Sequence, residues 1–348
     1  MSVPSKRILI MGAVLTALLT PGKALASITV TAIDVGQGDA VLVEHGGYRV
    51  MIDAGQWSDA ADHLDAAGID SLDLAIATHA HADHIGGFRD VFDQVEVDKI
   101  LYNGQVHTTQ TFEQFLDAVL SSDADYLEPA RGDQWQFGDM RVSILHPAGS
   151  ASEYDGHLHD KNIVTRIDYG EFSAIITGDI ELPGEQAMID AGVPLDANVV
   201  ELGHHGSSTS SGQAFLDAVD PDFAFYQAGE DNRYGHPHDE VISRLQSLDI
   251  EFAGTANAGT IRITGEQDGS FSVETEHAID DRETQVADCV DLNTSAKADL
   301  KTLPHIGPSR AQAIKDGRPW DGVHALREIH GLGPARVSEI KQEATVCE

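Results

Sequence analysis

A chain of 348 residues is long enough for two domains, or for one large domain with an appendage. It carries 22 Lys and Arg against 57 Asp and Glu, a formal charge of −35, with 41% hydrophobic residues. Such a balance excludes a strongly basic nucleic-acid binder as a description of the whole chain, and the apolar fraction excludes a disordered acidic tail.

Residues 1–26 read as an export signal. Lys6 and Arg7 open it, Ile8 to Leu19 is a short apolar stretch, and Ala24-Leu25-Ala26 is a small-x-small cleavage site. The mature chain is expected to begin near Ser27, outside the cytoplasm and without a membrane span, since no later apolar run approaches about 18 residues. From 27 to about 277 strand-like and helix-like patterns alternate. Strands are expected at Ile28–Val35, Ala40–Glu44, Tyr48–Ile52, Leu72–Thr78, Arg141–Leu145, Ile163–Asp168, Phe172–Thr177, Ala197–Leu202, Phe223–Gln227 and Thr260–Thr264. Helical periodicity fits Ala60–Ala67, Thr111–Leu120, Gly184–Ala191, Gln213–Val219 and Glu240–Leu248. Short strands interleaved with helices indicate a layered α/β domain, 27–277.

A polar linker, 278–288, follows, and then the composition changes. Residues 289–348 hold eight basic and eight acidic residues, whereas 27–288 hold 49 acidic and 11 basic ones. A charge of −38 beside a neutral segment supports a domain boundary with a different partner on each side. Asp (37) outnumbers Glu (20), and Lys is rare (8, against 14 Arg). At about 1 M salt the screening length falls to about 3 Å, so a surface this acidic reads as one built for high salt. The two cysteines, Cys289 and Cys347, bracket the last segment, and in an oxidising compartment a disulfide is expected between them. Closing that loop would contribute roughly 4 kcal/mol in the chain-entropy picture.

The strongest signal is Thr78-His79-Ala80-His81-Ala82-Asp83-His84-Ile85-Gly86-Gly87. Three imidazoles and a carboxylate follow a buried strand directly, and this donor set suits zinc or similar divalent ions. Downstream, Thr177-Gly178-Asp179, Glu201-Leu202-Gly203-His204-His205-Gly206-Ser207 and Tyr234-Gly235-His236-Pro237-His238 repeat the strand-then-ligand pattern. With the ligands goes a water whose pKa falls to about 7 and a charge that neutralises a phosphoryl oxygen. Asp83 and His236 are the catalytic candidates, His236 as a proton donor to the leaving oxygen or as a phosphate holder. Asp34 and Asp39 are expected to shape the Gly36-Gln37-Gly38 loop, or to stand behind the ligands rather than bind metal.

The His79-x-His81-x-Asp83-His84 signature, with Thr177-Gly178-Asp179 and Gly203-His204-His205-Gly206-Ser207, resembles the metallo-β-lactamase fold. The opening Asp34-Val35-Gly36-Gln37-Gly38-Asp39-Ala40 and the segment Asn232-Arg233-Tyr234-Gly235-His236-Pro237-His238 are similar to one branch of it, the extracytoplasmic hydrolase domain of bacterial competence (DNA-uptake) channel proteins. The resemblance covers roughly 28–275 and implies an αββα sandwich with two divalent ions, Zn or Mn, on one edge. It implies that His79 and His81 hold the first ion. Asp83, His84 and either His205 or His204, with His205 preferred, would hold the second, with Asp179 between them. Many members supply a third histidine to the first ion; here His146, His157 and His159 are the candidates, and a single ion remains an alternative.

In the tail, Leu303-Pro304-His305-Ile306-Gly307-Pro308-Ser309-Arg310 and Ile329-His330-Gly331-Leu332-Gly333-Pro334-Ala335-Arg336 repeat one pattern: an apolar helix end, a glycine turn, and a helix starting at proline. Free backbone N–H groups at such a helix start form an anion site. The tail resembles the all-α helix-hairpin-helix module of competence DNA-receptor proteins. That resemblance implies contact with the DNA phosphate backbone, independent of sequence, through Gly307, Arg310, Gly331, Gly333 and Arg336. Together the two resemblances imply a secreted metal-dependent phosphodiesterase cutting DNA. The alternatives are a metallo-hydrolase of a small ester, lactone or β-lactam, and a non-catalytic extracellular DNA-capture protein.

Overall fold

The computed structural model describes residues 27–149, 157–278, 290–293, 295, 297–343 and 346. The export signal at 1–26, the linker from 279 onward, and Cys289 and Cys347 lie outside the described residues. Two compact units emerge, Met1–Ile279 and Asp280–Glu348.

In the first unit seventeen strands are described: β1 Ile28–Ala32, β2 Val41–His45, β3 Tyr48–Ile52, β4 Ser71–Leu72, β5 Leu74–Ala77, β6 Glu96–Val97, β7 Lys99–Tyr102, β8 Asp125–Leu127, β9 Gln134–Phe137, β10 Met140–His146, β11 Val164–Tyr169, β12 Phe172–Ile176, β13 Val199–Glu201, β14 Phe223–Tyr226, β15 Glu251–Gly254, β16 Ile261–Gly265 and β17 Phe271–Thr275. One sheet runs β17-β16-β1-β2-β3-β5-β7-β8, the other β15-β14-β13-β12-β11-β10-β9, and β4 pairs with β6 apart from both.

Strand periodicity distributes the apolar residues among three cores. Val50 and Ile52 of β3, Leu74 and Ile76 of β5, and Phe172, Ala174 and Ile176 of β12 meet in the core between the sheets. The alternate residues, Met51, Ala75 and Ala77, join helices Asp59–Ala66, Phe88–Gln94 and Gln110–Ser121 in a second core. On the other side Ile175 and Val200 pack with residues of helices Leu182–Ala191, Gln213–Val219 and Asp239–Ser247. Side chains two apart along a strand share a face, so each sheet is apolar on both sides and the order helix, sheet, sheet, helix follows. This is the expected αββα sandwich.

Departures from expectation are local. The run read as one strand, Leu72–Thr78, splits at Asp73, whose N–H bonds to the Arg49 carbonyl while its carboxylate accepts the Arg49 N–H at 2.8 Å. Strands β6, β7, β8, β9, β15 and β17 were not expected. β7 has only four residues and β8 is exposed throughout, so neither carries a readable alternation. Helix Phe88–Gln94 was hidden because Gly86-Gly87 reads as a loop. There glycine is required by close packing, since a Cβ on Gly87 would stand 2.0 Å from the Ala54 carbonyl oxygen.

The second unit packs Leu300, Leu303, Ile306, Ile314, Leu326, Ile329, Leu332 and Ile340 into its own core. Helices Lys297–Thr302 and Pro308–Asp316 flank the first glycine turn, and Pro334–Glu343 follows the second. The element before the second turn, Val323–Glu328, is a 3-10 helix rather than the α-helix expected. Val290 bridges Val346, joining the two ends of the unit. No helix among the described residues is long and apolar enough to cross a membrane.

Candidate metal centre

Parallel strands bring the ligand loops to one edge. β3 and β5 run parallel in one sheet, and β12, β13 and β14 run parallel in the other. The loops after β5, β12 and β13 carry His79 to His84, Asp179, and His204-His205; carboxyl ends of parallel strands are where such sites gather.

Two groups of donor atoms converge there. In the first, His79 Nε2 lies 2.9 Å from His81 Nδ1, which lies 3.2 Å from His159 Nε2. Asp179 Oδ2 stands 3.4, 3.6 and 4.0 Å from these nitrogens of His79, His159 and His81. In the second, Asp179 Oδ1 is 3.2 Å from His84 Nε2 and 3.6 Å from His205 Nε2, and His205 Nε2 is 3.3 Å from Asp83 Oδ2. Donors on one tetrahedral ion at about 2.0–2.2 Å stand about 3.3–3.6 Å from one another; the first group, at 2.9–4.0 Å, brackets that spacing, as do Asp179 with His84 and His205 in the second, where Asp83 approaches through His205. Asp179 gives one oxygen to each group.

Unpartnered atoms are the second sign of fit. His84 Nε2, His205 Nε2 and Asp179 Oδ1 are buried and make no hydrogen bond. Such orphaned groups are costly unless something satisfies them. The opposite ring nitrogens are held firmly. His84 Nδ1 donates to Asp53 Oδ2 at 2.7 Å, and His205 Nδ1 to Asp39 Oδ1 at 3.0 Å and the Gln227 carbonyl at 2.9 Å. Asp53 also accepts from the Thr78 hydroxyl, 2.6 Å away, which in turn contacts His79 Nδ1 at 3.1 Å. His159 Nδ1 and His204 Nδ1 face Glu181 Oε1 at 3.3 and 3.4 Å. In His84 and His205 the held Nδ1 leaves Nε2 free for an ion, while His159 Nδ1 only faces Glu181 without a hydrogen bond.

The field has the same sign. Burial opposes charge on His84, but Asp179, Asp53 and Asp39 outweigh it and raise its pKa well above the ordinary histidine value; His205 is raised likewise, by Asp39 and Asp179 against burial. Burial works to protonate Asp179, yet His84 and His205 hold it ionised, far below the usual carboxylate range. The pocket therefore favours positive charge at its centre. His159 and His236 behave oppositely: burial leads in pushing each down to about 4, which keeps both imidazoles neutral at pH 7. Burial also raises Glu201, whose Oε2 accepts the Thr177 and Gly178 N–H groups at 2.9 Å behind Asp179.

Of the three open histidines, His159 joins the first group. His146 is turned to the Asn162 carbonyl, 2.8 Å away, and His157 is exposed at the start of the 3-10 turn Leu158–Lys161. His205 is buried in the second group, while His204, part exposed, reaches Asp179 only at 3.8 Å. Both have left-handed backbones, φ 52° and 58°, a conformation costing roughly 1–3 kcal/mol for non-glycine residues. The His204 N–H bond to the Gly178 carbonyl, 2.9 Å, helps hold it. Asp34 accepts the Gly36 N–H at 3.0 Å, and Asp39 stands behind His205. Sequence reasoning missed Asp53, Glu181 and Glu201; the first two carried a signal, since Asp53 follows a strand and Glu181 lies two residues past Asp179. His81, Asp83, Asp179, His204, His205 and His236 line an open cleft of about 380 Å³.

In the second unit the two turns share one bond. Arg310 Nη1 donates to the His305 carbonyl at 2.7 Å and Arg336 Nη1 to the Gly331 carbonyl at 2.8 Å. Arg310 Nε also reaches the His330 carbonyl at 3.5 Å, so its guanidinium braces both turns. His305 takes the left-handed φ of 68° that Gly331 takes at 81°, its ring paired with Glu339. Glycine is needed at 331, where a Cβ would come 2.7 Å from Arg310 Nη2. Gly307 and Gly333 precede the prolines that start the two following helices.

Residues 33–229 match the family described as the metallo-beta-lactamase superfamily, and 285–345 match the helix-hairpin-helix motif. ComE operon protein 3 of Bacillus subtilis is 32% identical over 266 residues, 70% of this chain and 34% of that protein. Competence protein ComA of Neisseria gonorrhoeae is 31% identical over 242 residues, 67% of this chain and 32% of that protein. A protein named Deoxyribonuclease from a Thioalkalivibrio species is 52% identical over 63 residues, 18% of each chain. The chain thus spans about a third of the length of the competence proteins it matches. Fold, donor clusters and sequence agree: the chain belongs to the metallo-beta-lactamase superfamily, as a metal-dependent hydrolase fold joined to a helix-hairpin-helix motif.

Proposed function

We propose that the protein is an exported phosphodiesterase that hydrolyses DNA in concentrated salt, its helix-hairpin-helix unit holding the polymer by its phosphates. The observation that carries this reading is the pair of donor groups sharing Asp179 at an open cleft, in one chain with two phosphate-type turns. His79, His81, His159 and Asp179 would hold one divalent ion, Zn or Mn, and Asp83, His84, His205 and Asp179 a second. Ions held there supply Lewis-acid charge and a water whose pKa falls to about 7. Asp83, with a quarter of its side chain exposed, is the ligand nearest substrate, and its carboxylate stays ionised because His205 and His84 outweigh its burial. His236 is neutral, so its part is to hold a phosphate oxygen through one ring N–H rather than to deliver a proton as a cation. The acidic surface is tolerable for a polyanionic substrate because concentrated salt screens it. Export rests on residues 1–26, and the proposed Cys289–Cys347 disulfide on that compartment; titration of unreduced protein should find no free thiol.

The test is plasmid incubated in molar salt with Mn²⁺, Zn²⁺ or chelator. Cleavage is expected, abolished by chelator and by His81→Ala, and slowed with metal content intact in His236→Ala. Hydrolysis of small esters alone would favour the lactonase-type alternative, and retention of plasmid without cutting would favour simple capture. Removing residues 280–348 is expected to weaken capture of long DNA and flatten its salt dependence while a small phosphodiester is still hydrolysed. Equal DNA affinity in the truncated form, by electrophoretic retardation, would assign the tail another task.

A further inference from the structure

The first unit is strongly acidic, and its arginines are mostly neutralised in place. Arg49, Arg89, Arg141, Arg166 and Arg244 each sit against a carboxylate, Glu44, Asp90, Asp168, Asp168 and Glu240 respectively. Arg233 does not. It is exposed, its Nη2 donates to the Tyr234 hydroxyl at 2.7 Å, and its guanidinium carbon lies 4.9 Å over the Tyr234 ring. Among the described residues no carboxylate forms an ion pair with it, and Asp83 acts on it only through its field.

Position makes this pair notable. Tyr234, half exposed, belongs to the cleft wall and stacks on His236 with centroids 5.7 Å apart and planes at 21°. His236 in turn stacks on His205, 5.9 Å away at 30°. A ladder of rings therefore runs from the donor cluster to the cleft mouth and ends at Tyr234, which has His236 on one side and the exposed Arg233 guanidinium over its ring.

The loop is also fixed. Asn232 Nδ2 donates to the carbonyls of Gly229 and His236 at 2.9 and 2.7 Å, and its Oδ1 accepts the His236 N–H at 3.0 Å. The His238 N–H bonds to the Gly206 carbonyl at 2.9 Å, and the Ser208 N–H to His238 Nδ1 at 2.8 Å. Side chains presented from so braced a turn lose little freedom on binding.

We infer that Arg233 and Tyr234 form the nucleotide subsite next to the scissile phosphate: the exposed Arg233 turns from the Tyr234 ring to hold the neighbouring phosphate of a single strand, and the neighbouring base stacks on the ring face it leaves. The assignment rests on the nuclease reading above and narrows it to an unpaired strand. Stacking on an aromatic face tolerates any base, and a guanidinium matches a phosphate with two parallel N–H bonds.

The test compares a short thymidine oligonucleotide with bis(p-nitrophenyl) phosphate, which has one phosphate and no neighbouring nucleotide. Arg233→Ala is expected to raise KM for the oligonucleotide about tenfold with kcat within about twofold, and to lower the slope of log KM against log salt by about 0.7. Arg233→Lys should restore that slope. Tyr234→Ala should raise KM comparably and Tyr234→Phe should not, since the ring rather than the hydroxyl stacks. Hydrolysis of the small diester should be unchanged in all four variants. If the wild type cuts the oligonucleotide while both alanine variants keep its KM and salt slope, the subsite is wrong. Equal loss on both substrates would make the loop a structural element and also overturn it. A wild-type protein that cuts plasmid but leaves the oligonucleotide uncut overturns this subsite alone, and one that cuts neither overturns the nuclease reading and takes this subsite with it.

Discussion

Asp179→Ala is expected to empty both donor groups of metal and to slow plasmid cleavage on the order of a thousandfold. The expectation follows from the way one carboxylate is divided, Oδ2 toward His79, His81 and His159, and Oδ1 toward His84 and His205. Asp53→Asn supplies the graded comparison. Asp53 touches no ion position, but it fixes His84 and, through Thr78, His79. Loss of such an outer partner costs roughly 10–100-fold in metal affinity, so this variant should recover its rate when metal is added in excess. Elemental analysis alongside cleavage across a metal titration reads both. Full metal content and full rate in Asp179→Ala would refute the shared-carboxylate arrangement.

Stability should fall by up to about 3 kcal/mol between pH 4.5 and 7 on account of one buried side chain, Glu185. Glu185 is 2% exposed and accepts the Ser211 and Gly212 N–H groups, while Arg244 braces the same segment through the Ser211 carbonyl. Burial is the largest influence and raises its pKa from 4.5 to about 7, against the pull of those N–H groups and Arg244. The folded state then keeps a proton that the unfolded chain releases. The contribution is fully present below pH 4.5, declines as pH rises through the interval, and is gone above about 7. Other carboxylates impose their own pH dependence, but Glu185→Gln shares it. The difference between the two denaturation curves therefore isolates Glu185. A difference that does not change with pH would show that the carboxyl titrates normally.

How much of this was readable in advance depends on distance along the chain. His79, His81, Asp83 and His84 fall within six residues after an apolar strand, and local spacing alone marked them. Asp179 and His205 showed through the repeated strand-then-ligand pattern. His159 stayed one of three histidines because it arrives on a short 3-10 turn, Leu158–Lys161, which has no period to read. Asp53, Glu181 and Glu201 act by contact with residues far off in sequence; Asp53 after its strand and Glu181 beside Asp179 carried a faint positional signal, and Glu201 carried none. The sandwich was legible where strands had one apolar face per core. The unforeseen strands are mostly short or lie toward sheet edges, where burial is incomplete. In the tail, the glycine-proline repeat revealed both turns, but not that Arg310 would be engaged by two carbonyls.

Strand β5 also works as a gauge. Leu74 and Ile76 fill the gap between the sheets while Ala75 and Ala77 admit the helices on the far side, and His79 follows two residues on. Sliding this segment by one position would press two bulky side chains into room sized for methyl groups and open voids opposite. The placement of the first imidazole is thereby set by bulk on either side of a sheet, well away from the loop that bears it, and the way to shift it by a fraction of a residue is to resize those alanines.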